Sequence, residues 1–378
     1  MRFIILSVVW SIVLFSCAGK TEQVKAKYVF YFIGDGMGVN QVIGTEMYLA
    51  ELEGRIGTKS LSFTSFPVRN YVTTYSGTNA VTCSAAAGTA LATGTKTQNG
   101  RIGMRQDSSF LYSIAWRAKQ AGKAVGVTTS VAINHATPAV FYAHQPDRQM
   151  YYEIGTDAAK AGFDFYGGAG WKQVFSPHDS SEIDLYSLLR DSGYVIIDHR
   201  RDFLALSTGA GKVVYVQPED CVNPSSLPAA IDRKEGDLTL ADITRKAIQF
   251  LSARNEDGFF LMVEGGIIDW LCHANDGAAA FREVVDFSEA IQVALDFYKA
   301  HPDETLIIVT ADHETGGLAL GNGPYELSLK LLANQKSSII GLTQKLKQLK
   351  KSKGKNLTYP NLQELFKQEC GFGAAVKL

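Results

Sequence analysis

The sequence has no surplus of basic residues: 37 Lys and Arg stand against 38 Asp and Glu, a formal net charge of −1. A nucleic-acid partner calls for a strong positive excess, so the composition argues against one. Cysteine is scarce, with five residues, and none of them has zinc-finger spacing. Histidine is scarce as well: there are seven, and none follows His313. No internal repeat is present, which leaves no basis for a solenoid. The apolar run Phe3 to Phe15 is too short for a helical membrane span, which takes about 20 residues. Preceded by Arg2, it reads as the core of an export signal.

The residues after that run sharpen the export reading. "LFSC" resembles a bacterial lipobox, which would make Cys17 the lipidated first residue of the mature chain; the plainer alternative is an ordinary cleaved signal. Either way the protein is expected to be exported, periplasmic or lipid-anchored in the cell envelope, with a lipid anchor as its one membrane contact. Residues 1–24 are set aside as signal and linker. Hydrophobic residues make up 46% of the 378 and charged residues 20%, enough for a sizeable core in what remains.

From there the chain alternates between strand-like and helix-like segments. "YVFYFI" (Tyr28 to Ile33), "KAVGVTTS", "YVIID", "KVVYV", "GFFLMVEGG" and "TLIIVTADH" read as strands. "LYSIAWRAKQAG" reads as a helix stopped by Gly122, and Thr239 with Asp242 forms a capping box for a helix bearing Leu240, Ile243, Ala247 and Leu251. A long helix from about Asn275 to Ala300 carries Phe281, Val284, Ile291, Leu295 and Tyr298. This alternation predicts an α/β protein with a mostly parallel central sheet between two helical layers. Residues 25–325 form the expected catalytic domain; residues 326–378 form a lysine-rich portion, helical from Ser337 to Lys355.

In such sheets, ligands bind at the carboxyl ends of the strands. Here "GDGMG" places Asp35 after one apolar strand, "VEGGIIDWLCH" places Glu264, Asp269 and His273 at and after a second, and "TADHETGG" places Asp312 and His313 after a third. A turn aspartate or an i,i+4 Asp–His pair means little alone. Together they would gather carboxylates that repel one another unless divalent cations join them. Mixed oxygen and imidazole ligands suit zinc; an oxygen-rich set suits magnesium. Asp312 and His313 are adjacent, so they share an ion only if the backbone turns there.

The stretch "TCSAAAGTALATG" fits the same purpose. A nearby cation would turn the Ser84 hydroxyl into a competent nucleophile, and the N-terminus of a helix beginning there favours an anion. Ala85, Ala86, Ala87 and Gly88 would let the helix pack closely and leave room for phosphate.

In this order, "GDGMG", "TCSAAAGTALATGTKTQNG", "NHATPAVFYAHQPDR", "MVEGGIIDWLCHAND" and "TADHETGG" resemble the motifs of the alkaline phosphatase family, from about Tyr28 to Gly317. The resemblance implies hydrolysis of small-molecule phosphate monoesters through a phosphoserine on Ser84, with Arg148 clamping the phosphate. It implies that Asp35, Asp312 and His313 hold one zinc, Asp269 and His273 a second, and Asp35, Thr137 and Glu264 a magnesium-type ion. Relatives are commonly homodimers.

Three departures qualify the resemblance. Cys83 stands where well-known members have an aspartate bracing the arginine, so Arg148 is expected to be held less firmly or by another partner. His135 and Trp270 replace an aspartate and a basic residue beside the third ion, which favours cobalt, zinc or loosely held magnesium there. The family's further zinc-binding histidine has no counterpart after His313, so the chain is read as a shortened form whose second zinc site is incomplete. A sulfatase is disfavoured because "CSAAA" lacks the proline and arginine of the sulfatase motif. The remaining alternatives are a related phosphodiesterase and an inactive metal- or phosphate-binding lipoprotein.

Overall fold

The computed structural model describes residues 26–371 apart from 180, 210, 219–224, 322 and 324; the lipobox with Cys17, and Cys221, lie outside the described residues. Seven strands form one sheet: β1 (Tyr28–Gly34), β2 (Ala124–Thr129), β3 (Phe165–Gly168), β4 (Tyr194–Ile197), β5 (Lys212–Val216), β6 (Phe259–Gly265) and β7 (Thr305–Ala311). Their order is β4-β5-β3-β2-β6-β1-β7, and every pairing is parallel.

Both faces of the sheet are covered, which is why its strands read as continuous apolar runs rather than alternating ones. Successive side chains of a strand point to opposite faces. Phe30 and Phe32 of β1 therefore join Phe259, Leu261 and Val263 of β6 under the helices Leu240–Ser252 and Gly277–Ala300. Tyr31 and Ile33 join Phe260 and Met262 on the other face, against Ala85, Ala136, Ile154 and Ala158. The result is the three-layer α/β/α arrangement expected from the sequence.

The register sets up the site. Gly34 lies level with Gly265 of β6 and Ala311 of β7, and Thr129 of β2 lies level with Glu264. Asp35 and Asp312 each follow the paired position by one residue, and Glu264 precedes it by one. Three acidic residues far apart in sequence thus reach one sheet edge.

The helix Ser84–Thr93 begins at the serine, and its small residues have a packing role: a Cβ on Gly88 would come within 3.1 Å of Val140 Cγ2. The Thr239–Asp242 capping box is formed. Some sequence expectations need correction. Tyr298 is exposed rather than part of the buried stripe of its helix. The tail helix spans Ile339–Lys353, because the Ser338 hydroxyl caps it by accepting from Ile340 N and Gly341 N; a further helix, Tyr359–Cys370, follows it. Cys83, Cys272 and Cys370 are free thiols. Among the described residues, no helix is long and apolar enough to cross a membrane.

Phe259 is fully buried and meets the rings of Tyr28, Phe30 and Phe297 at centroid distances of 5.2, 5.2 and 5.6 Å. Phe259→Ala should cost about 3–5 kcal/mol in urea unfolding; a loss under about 1 kcal/mol would mean that this aromatic cluster is not a principal support of the core.

Candidate active site

Three carboxylates are buried at the sheet edge, Asp35 and Glu264 completely and Asp312 at 2% exposure. Backbone and hydroxyl donors fix one oxygen of each. Thr137 Oγ1 donates to Asp35 Oδ2 at 3.1 Å, Gly36 N and His313 N donate to Asp312 Oδ1 at 3.0 and 2.9 Å, and Thr129 Oγ1 donates to Glu264 Oε2. The other oxygens, Asp35 Oδ1, Asp312 Oδ2 and Glu264 Oε1, are buried without a hydrogen-bond partner. Orphaned anionic oxygens of this kind call for a cation.

The backbone does turn after β7. His313 Nε2 lies 3.3 Å from Asp312 Oδ2 and 3.6 Å from Asp35 Oδ1, although Asp312 and His313 are neighbours in sequence. His313 Nδ1 is 3.1 Å from the Glu314 carbonyl oxygen, which can only accept, and Nε2 faces the carboxylates. Ser84 Oγ sits 3.3 Å from that same Nε2, at the N-terminus of its helix. Cys83, the N-cap, makes no side-chain capping bond, which leaves the first-turn N–H groups available to an anion.

Two sets of side chains bring candidate ligand atoms within 4.8 Å of one another: Asp35, Asp312 and His313, and Asp35, His135 and Glu264. The buried, unpartnered oxygens and the mixed oxygen and nitrogen donors fit divalent cations.

Comparison with known proteins agrees with this geometry. The sequence pattern of the family described as "Alkaline phosphatase" matches residues 26–166 and 182–376. The chain belongs to the alkaline phosphatase family. Among curated alkaline phosphatases it is 35% identical, over 310 residues, to alkaline phosphatase 3 of Bacillus subtilis; the match covers 80% of this chain and 64% of that protein's length. A cold-active alkaline phosphatase from Shewanella superposes with a TM-score of 0.75 at 32% identity, covering 89% of this chain and 82% of its own. A variant of TAB5 alkaline phosphatase in which a histidine is replaced by glutamate, described with Mg bound in its M3 site, superposes with a TM-score of 0.66 at 32% identity, covering 78% and 79%.

The other residues singled out in the sequence fall around this centre with differing closeness. Asp269 and His273 lie on one face of the short helix Ile267–His273, with His273 Nε2 3.5 Å from Asp269 Oδ1. The imidazole is 71% exposed, and among the described residues no cluster of three or more ligand-type side chains includes either one. Arg148 does have another partner: its Nη2 donates to His135 Nε2 at 3.3 Å, and Trp270 packs edge-on against the His135 ring. Cys83 is linked to Arg148 through Gly100, whose N–H donates to Cys83 Sγ at 3.1 Å and whose carbonyl accepts from Arg148 N at 2.8 Å.

Two site residues were not singled out from sequence, Thr129 and Thr315. Thr315 Oγ1 donates to Asp269 Oδ1 at 2.6 Å and lies 3.1 Å from His313 Nδ1. Thr129 is the last residue of β2, and Thr315 lies four residues past the end of β7, in the segment that carries Asp312 and His313. Gly36 has φ +67°, and a Cβ there would come within 2.7 Å of Thr315 Oγ1 and 2.8 Å of Asp269 Oδ1, so the turn admits no side chain.

Burial and then the charges of Asp312, Asp269 and Glu264 hold Asp35 well above the usual carboxylate range. Burial likewise raises Asp312, against the pull of His313, and pushes Glu264 up to about 8 against the Thr129 hydrogen bond. His135 is driven down to about 3 by burial and then by Arg148 and Lys172, so its ring is neutral.

A carboxyl raised on folding costs nothing while both states are protonated, and destabilises the native state as pH climbs from its ordinary to its raised value. For Glu264 that window runs from 4.5 to about 8. Chelator-treated protein should therefore lose stability across it, and added zinc or magnesium should restore more stability at the alkaline end than at the acid end. Urea unfolding at both ends, with and without cation, checks this; a cation effect independent of pH would contradict it.

Proposed function

We propose that the chain is a metal-dependent phosphate monoester hydrolase that works through a phosphoserine at Ser84. The observation carrying this reading is the Ser84 hydroxyl, held 3.3 Å from His313 Nε2 beside three buried carboxylates whose outward oxygens have no partner. In this reading Asp35, Asp312 and His313 hold one zinc-type ion, and Asp269 and His273 contribute to a second. Asp35, Thr137 and Glu264, with His135 beside them, hold the third. Bound divalent cations supply charge neutralisation and lower the pKa of the serine hydroxyl.

The protein groups then have defined work. Ser84 Oγ, its proton given up to solvent, attacks phosphorus in line with the leaving group; a P–O bond forms to serine, and the leaving oxygen departs with the electron pair of the broken P–O bond and takes a proton from solvent. Water attacks the phosphoserine in a second in-line step, regenerates Ser84 and releases inorganic phosphate. Arg148 offers a planar pair of donors to two phosphate oxygens, and the open first turn of the helix Ser84–Thr93 faces the anion. The N-terminal residues support an exported protein acting on small phosphate esters.

Hydrolysis of p-nitrophenyl phosphate by zinc-loaded protein tests the reading. Ser84→Ala should lower kcat by a factor on the order of 10⁴ and abolish acid-stable labelling from radioactive phosphate. Full activity in this variant would overturn it. Faster turnover of bis-p-nitrophenyl phosphate or of a sulfate ester than of the monoester would move the protein to another subclass.

Cys83→Asp should lower KM for the monoester severalfold, because a carboxylate gives Arg148 a charge-assisted partner that a thiol cannot. An unchanged or raised KM would show that the Cys83–Gly100–Arg148 linkage already places the guanidinium well.

A further inference from the structure

The His135 ring lies between two demands that it cannot meet together. Arg148 can only donate, so the 3.3 Å contact from its Nη2 requires a lone pair on His135 Nε2. His135 also offers a candidate ligand atom within 4.8 Å of those of Asp35 and Glu264, and its Nδ1 is buried without a hydrogen-bond partner. A neutral imidazole has one lone-pair nitrogen and one N–H. If a cation takes Nε2, the lone pair that receives Arg148 is consumed. If a cation takes Nδ1, the proton must move to Nε2, and two N–H donors then face each other. Both routes break the Arg148 contact.

We propose that His135 is a positioning residue that couples cation binding at the Asp35–His135–Glu264 cluster to the release of Arg148. While His135 accepts from Arg148, the half-buried guanidinium is tied to the ring. Cation ligation by His135 frees that guanidinium for phosphate oxygens. Linkage is reciprocal, so phosphate that draws Arg148 away makes the His135 lone pair available to a cation. A carboxylate at this position would lack the exclusion, because its two oxygens carry enough lone pairs to serve a cation and an arginine at once. The His135 side chain thus makes arginine placement depend on cation occupancy. This inference rests on the phosphatase reading for the role of Arg148, but the exclusion itself comes from the geometry alone.

The test uses the full chain with nitrogen-15-labelled histidine, His135 being assigned by the signal lost in His135→Asp. In chelator-treated protein, long-range proton–nitrogen spectra should show His135 protonated on Nδ1 and bare on Nε2. Zinc should shift that signal, and the zinc concentration at half-shift should fall about tenfold in Arg148→Met, since the charged-donor hydrogen bond no longer opposes ligation. Calorimetric zinc titration of His135→Asp and His135→Asp/Arg148→Met should give a much smaller difference, because there only charge repulsion is relieved. A proton on Nε2 in the chelator-treated protein, or an equal effect of Arg148→Met in both backgrounds, would overturn the proposal. Loss of ester hydrolysis with the coupling intact would fail the phosphatase reading alone; hydrolysis with no coupling would fail this inference alone.

Discussion

Three carboxylates buried beside one another are the constraint on which this site turns. Asp35, Glu264 and Asp312 approach because β1, β6 and β7 are neighbours in register. Such a cluster is unfavourable in a low-dielectric interior, and the protein answers in two ways. Burial raises all three carboxyl values, so each is harder to ionise there than in water. Neutral donors also bind one oxygen of each carboxylate and leave the other without a partner. That pattern serves a cation better than it serves the protein alone.

The supporting residues explain why the site is built on strand ends and glycines. Gly36 donates to Asp312 from a left-handed turn in which a side chain would strike Thr315 and Asp269. Thr315 connects Asp269 to His313, and the Glu314 carbonyl contacts His313 Nδ1, so the ring is held with Nε2 toward Ser84 and the carboxylates. Ser84 in turn is placed by a helix whose small side chains allow close packing against the segment around Val140. The long-range contacts of the fold therefore act on a few angles at the catalytic end of the sheet.

Much of this was legible in the sequence. Acidic residues and histidine immediately after apolar strands revealed Asp35, Glu264, Asp312 and His313, because a parallel sheet must deliver such positions to one edge. Ser84 was legible from the small residues behind it. Thr129 and Thr315 were less visible, since a threonine that orients a carboxylate has no periodicity and no distinctive neighbour. The pairing of Arg148 with His135 was out of reach, because the two residues meet only through the tertiary fold. Tyr298 fell on the apolar stripe by spacing but is exposed, while the neighbouring Phe297 packs against Tyr28, Phe30 and Phe259. The helix Tyr359–Cys370 was not singled out, although Leu362, Leu365 and Phe366 stand at helical spacing and are half-buried.

The central claim is that the buried carboxylates form cation sites around Ser84. Anomalous diffraction from crystals grown with zinc, recorded on both sides of the zinc edge, tests it most directly. The account predicts metal density bounded by Asp35, Asp312 and His313, close to the Ser84 hydroxyl, and further density against Asp35 and Glu264. Fully occupied zinc found only at other places, with Asp35, Glu264 and Asp312 bonded to protein or water alone, would contradict it.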